Sequence, residues 1–141
     1  MYEEDIRTSF KKEVDVEGRI FVLKYQNGEE KDIMTDKISQ IETDDKGKIT
    51  KIFYRVVDRN KYWFGTCVHK VPYDFKNEVF VESLKGTLTD IEWQEVNTKQ
   101  DWSKFKPKIR AKIINALPNN LREKVLIELV EMNLAMNIKK K

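Results

Sequence analysis

The apolar residues of this chain change period part-way along it, and that change limits the available folds more than any other feature. From residue 19 to about 96 they fall in short β-branched and aromatic runs separated by turn residues, the pattern of antiparallel strands. After Trp93 they recur three and four apart, the spacing of one helical face. The expected class is therefore α+β. An antiparallel meander or small barrel of five to seven short strands should occupy residues 1–100, with a short helix over 2–13. A basic helical hairpin over 101–141 should pack on it as one folding unit.

Turn chemistry places the strands. Residues 20–25 run into Asn27-Gly28, a strong short hairpin signal, and Ile33-Met34 returns. Residues 38–43 and 49–57 flank Asp44-Asp45-Lys46-Gly47-Lys48, where Gly47 would take the left-handed position. Val57 and Tyr62 flank a tight turn at 58–61, and 79–84 and 88–93 flank Lys85-Gly86. The order of elements resembles small Sm-like and SH3-like barrels with added helices, although no residue motif selects a family.

The final helix is expected over residues 121–137. Leu121, Val125, Leu129, Met132 and Met136 share an arc about 80° wide, and Leu126, Val130 and Leu134 form a second arc. One arc should face the body. The other suggests a two-fold homodimer through 121–137, unless Ile109, Ile113 and Leu117 of the preceding helix cover it.

Charge divides the chain. Residues 1–100 carry 17 Lys and Arg against 20 Asp and Glu, a balance of −3, and residues 101–141 carry 10 against 4, a balance of +6. Most of that excess lies in one run, where Lys104, Lys106, Lys108, Arg110 and Lys112 alternate with Phe105, Pro107, Ile109 and Ala111. As a strand, the run would aim five cations along one face at about the spacing of single-strand phosphates. As a helix it would scatter them, and Pro107 favours the helix because it suits a first turn.

A second candidate surface comes from pairing 51–57 with 62–70. That register sets Lys51, Arg55, Tyr62 and Phe64 on one face, aromatics among cations, as on sheets that stack bases. The competing expectation is that the C-terminal helices cover this face.

Catalytic constellations are sparse. Cys67 and His69 are the only cysteine and the only histidine, too few to hold a metal alone. Asp90, Glu92 and Glu95 read as an exposed edge, and Glu42, Asp44 and Asp45 as a turn. The chain has no P-loop, dinucleotide-binding, HExxH or GxSxG motif, so no cofactor or metal is expected. A lone cysteine, an acidic start and no apolar run near about 18 residues point to a cytoplasmic protein off the membrane. The leading expectation is a non-catalytic protein that binds another macromolecule through protein–protein contacts. Direct binding of single-stranded nucleic acid is the alternative, and a small enzyme using Cys67 and His69 or the carboxylates is a third.

Overall fold

The computed structural model describes residues 11–139. The helix expected over 2–13 lies outside the described residues as far as residue 10, and from Lys11 the chain is a strand. β1 (Lys11–Val16) and β2 (Arg19–Lys24) form an antiparallel hairpin. Its loop, Glu17 and Gly18, has positive φ at both positions (54° and 85°), the geometry whose twist matches the strands it joins. The Gly18 N–H donates to the Asp15 carboxylate at 2.7 Å. β5 (Val68–Lys70) pairs with the other edge of β2, giving the order β1-β2-β5. Alternation turns Val14, Val16, Phe21 and Leu23 inward, all buried.

Asn27, expected in a hairpin turn, instead starts α1 (Gly28–Ile38). Its side chain accepts the Glu30 N–H at 2.8 Å and the Glu30 carboxylate accepts the Asn27 N–H at 3.1 Å. This reciprocal cap satisfies two otherwise orphaned donors, and it outweighs the local preference of Asn-Gly for a turn.

The hairpin expected around Gly47 is present. β3 (Ser39–Thr43) pairs antiparallel with β4 (Ile49–Tyr54), with Gly47 at φ 80°. The Asp44 carboxylate accepts the N–H groups of Lys46 and Lys48 at 2.9 Å each. These two strands form a sheet of their own.

From Arg55 onward the expected hairpin pairing of 51–57 with 62–70 gives way to α2 (Val56–Thr66). A two-residue loop at Arg59-Asn60 would need positive φ at both residues, which Arg resists. The segment instead coils, with Asp58 in the first turn bonded back to Arg55. The strands expected at 79–84 and 88–93 are likewise helical, α3 (Glu78–Ser83) and α4 (Asp90–Lys99). Asn77 caps the first, and Thr89 with Glu92 forms a capping box on the second.

A 3-10 turn (Trp102–Lys104) leads to α5 (Pro107–Asn115) and α6 (Asn119–Lys139). Pro107 stands in the first turn of α5, as its fixed φ and missing N–H favour. The chain is thus α+β with antiparallel strands and C-terminal helices, the five strands among the described residues divided between two sheets rather than joined in one meander or barrel. No described helix is long and apolar enough to cross a membrane.

One core joins the sheet to the C-terminal helices: Phe21 and Leu23, Trp63 and Phe64, Ile113 and Ile114, Val125 and Leu129 are buried together. α2 crosses α5 so closely that a Cβ on Gly65 would lie 2.5 Å from the Pro107 carbonyl oxygen. Only glycine fits there.

Candidate functional site at the root of a β-hairpin arm

The β3–β4 hairpin is an arm. Its strands pack chiefly on each other, and every side chain described in them is exposed except the half-buried Ser39. Register pairs Ile41 with Ile52 and Ser39 with Tyr54, which places Ile41, Ile52 and Tyr54 on one side, and a register shift after Glu42 sets Ile49 opposite Thr43. Ile41, Ile49, Ile52 and Tyr54 are 53–58% exposed. Glu42 pairs with Lys51 in the alternate register position. An isolated two-stranded hairpin is marginal in water, and exposed apolar patches of this kind mark interaction surfaces.

Where the arm joins the body, a cleft of about 630 Å³ opens between α1, α2 and α5. α1 contributes Lys37 and Ile38, and α2 with its cap contributes Arg55, Asp58, Lys61, Tyr62 and Thr66. α5 contributes Pro107, Lys108, Ala111, Lys112 and Asn115. The Gly65–Pro107 crossing sets the distance between its two longer walls.

Arg55 closes the arm's root. Its N–H donates to the Ile38 carbonyl at 2.9 Å, and its guanidinium donates to the Lys37 carbonyl and pairs with Asp58 at 2.8 Å. Lys112 is bonded to Glu92 at 2.7 Å, which holds the Glu92 carboxyl below its ordinary range. Lys37 lies 5.7 Å from the centre of the Tyr62 ring. Burial, then Glu30 and Cys67, push the Tyr62 phenol up, so it stays a donor at neutral pH. Among the described residues, Lys61 and Lys108 have no carboxylate within ion-pair distance.

The five alternating cations separate as a helix requires. Lys108 and Lys112, one turn apart, enter the cleft. Lys104 and Lys106 are exposed outside it. Arg110 turns inward and donates to the carbonyls of Trp102 (3.1 Å), Gly65 (3.2 Å) and Ser103 (2.9 Å). It clamps α5 to the end of α2.

Of the second expected surface, Arg55 and Tyr62 line the cleft and Lys51 rides on the arm. Phe64 is wholly buried with the Arg122 guanidinium 5.4 Å from its ring centre, so it forms no stacking face with Tyr62. In α6, Leu126 and Val130 pack partly against the core, and the Leu134 side chain lies outside the described residues. Among the described side chains of that helix, Ile127 is an exposed apolar one, at 53%.

Sequence reasoning missed Lys37 and Lys61, because the helices that carry them were read as strands and turns. It found the arm's turn but not its exposure. The signal available was an apolar face on a hairpin whose two strands lacked a third.

The remaining candidate chemistry is committed elsewhere. Cys67 is wholly buried and its thiol is pushed up to about 11 by desolvation, which leaves it inert at neutral pH. His69 is held below its ordinary range by partial burial and by Lys11, Lys70, Lys24 and Arg110. Glu92 caps α4 and Glu95 bonds Lys99 at 2.9 Å. Among the described residues no three His, Cys, Asp or Glu gather as metal ligands would. In comparison with known proteins, no protein family, curated protein or solved structure matches the chain.

Proposed function

We propose that this is a non-catalytic, cytoplasmic binding protein that docks another protein through the β3–β4 arm. One observation carries the reading: the hairpin leaves Ile41, Ile52 and Tyr54 of one face, with Ile49 beyond the register shift, more than half in solvent, covered by no third strand. Covering each such side chain contributes roughly 1.5–3 kcal/mol, enough for four to anchor a specific complex. Val56 and Val57, 50% and 66% exposed, extend the apolar surface just beyond β4. The free, buried Cys67 fits a reducing compartment.

Direct binding of single-stranded nucleic acid is the second reading, favoured by Lys61 and Lys108, which have no carboxylate partner among the described residues. It requires affinity to fall with salt at a log–log slope of about −0.7 per phosphate contact.

A photo-crosslinking residue at position 52 in cells of the source organism tests the proposal. The expected product is a discrete adduct with one protein, which, once purified, binds the unmodified chain and not an Ile41→Ser/Ile52→Ser variant. A nucleic-acid adduct with the steep salt dependence above would replace the first reading by the second. Turnover of a small molecule by the pure chain would end both.

A further inference from the structure

We propose that the cleft at the arm's root is a binding site for a small organic phosphate, of the size and charge of a nucleoside diphosphate. The inference does not depend on what the arm docks.

Charge is the first argument. Five cations border the cleft, and two are already committed, Arg55 to Asp58 and Lys112 to Glu92. Lys37, Lys61 and Lys108 remain, drawn from three helices that meet only here. No carboxylate pairs with any of the three among the described residues. Asp58 also lines the cleft, but its charge is answered by Arg55, so the lining keeps a net positive charge, and a concave surface of net positive charge concentrates anions. Balancing three ammonium groups in so small a space calls for compact multiple charge. One phosphate monoester supplies about −2 at pH 7 and a diphosphate more, whereas carboxylates would have to arrive one per group.

The lining is the second argument. Ile38, Pro107 and Ala111 supply an apolar wall and Tyr62 a phenol donor beside it, while the Thr66 hydroxyl is already donated to the Tyr62 carbonyl at 2.7 Å. An apolar wall with a few convergent polar groups, in a volume of about 630 Å³, is the composition of small-molecule sites rather than of a bare ion site. An inorganic anion would leave that wall unused.

Calorimetric titration of the 141-residue chain with a nucleoside diphosphate, and separately with inorganic pyrophosphate, tests this. The nucleotide should saturate below about 1 mM and bind about tenfold or more tighter than pyrophosphate. Lys61→Ala/Lys108→Ala should weaken it about tenfold or more, while Lys104→Ala/Lys106→Ala, which removes the same charge outside the cleft, should change it less than about twofold. All four lysines are exposed, so both variants should keep the wild-type circular dichroism. Equal weakening by the two pairs would reduce the attraction to diffuse surface charge and overturn the site. Equal affinity for pyrophosphate would overturn the organic ligand. No saturable binding of either probe would overturn the proposal altogether.

Discussion

The described residues contain two antiparallel hairpins with opposite fates. In β1–β2 the apolar face, Val14, Val16, Phe21 and Leu23, is at most 8% exposed beneath helices. In β3–β4 the equivalent face is 53–58% exposed. Both are antiparallel and turn through a glycine at positive φ, Gly18 in the first and Gly47 in the second. What separates them is a neighbour: β2 gains β5 on its free edge and a layer of helices on its face, and the arm gains neither. Apolar residues in the first hairpin are therefore spent on folding. Those in the second remain more than half exposed after folding, which is why the proposed docking surface is placed there.

Substitutions in the two hairpins should differ accordingly. Phe21→Ala empties a site in the centre of the buried face and should lower unfolding free energy by about 3–5 kcal/mol in urea titration. A loss under about 1 kcal/mol would mean that the buried hairpin is no more essential than the arm. Gly65→Ala forces a Cβ to within 2.5 Å of backbone at the α2–α5 crossing, and neither helix can yield without disturbing the core. It should cost about 2–3 kcal/mol, measured the same way, and widen the cleft as it does so.

Cys67, whose carbonyl accepts the Lys24 N–H of β2 at 2.8 Å, reports on the dry side of the body. Its thiol is raised from an ordinary 9.0 to about 11, so burial favours the neutral form. The stability tied to that thiol is fully present below pH 9 and is lost as pH rises through 11. The loss should be about 2–3 kcal/mol, and it should be absent from the stability–pH curve of Cys67→Ala. Identical curves for the two proteins above pH 9 would show that water reaches the thiol.

The elements legible from sequence were those whose signal is local and unopposed. The Gly47 turn was one, because Asp44 and Gly47 have no better use elsewhere. The helix over 121–137 was another, its period sustained for five turns. Pro107 correctly decided between helix and strand for the basic run. The failures share a cause. Asn27 with Glu30 and Thr89 with Glu92 are capping boxes, and in each case a nearby glycine or β-branched run suggested strands instead. In α2, burial of Trp63 and Phe64 against the C-terminal helices overrides the β preference of its residues. The cleft was illegible as a unit because its cations come from residues 37, 55, 61, 108 and 112, which only the helix packing brings together. Arg110 shows the converse: the same alternating run contained one cation whose role is structural.

The smallest expected effect on folding is the most informative. In Ile41→Ser/Ile52→Ser, unfolding free energy should stay within about 1 kcal/mol of the parent, because the replaced side chains are more than half exposed and lose chiefly their own cross-strand pair. The direct test measures that stability together with adduct yield from a crosslinker at position 54 of the same variant, in cells of the source organism. The arm as a docking surface predicts unchanged stability and loss of the adduct formed by the parent. A variant that unfolds, or one that crosslinks as well as the parent, would contradict it.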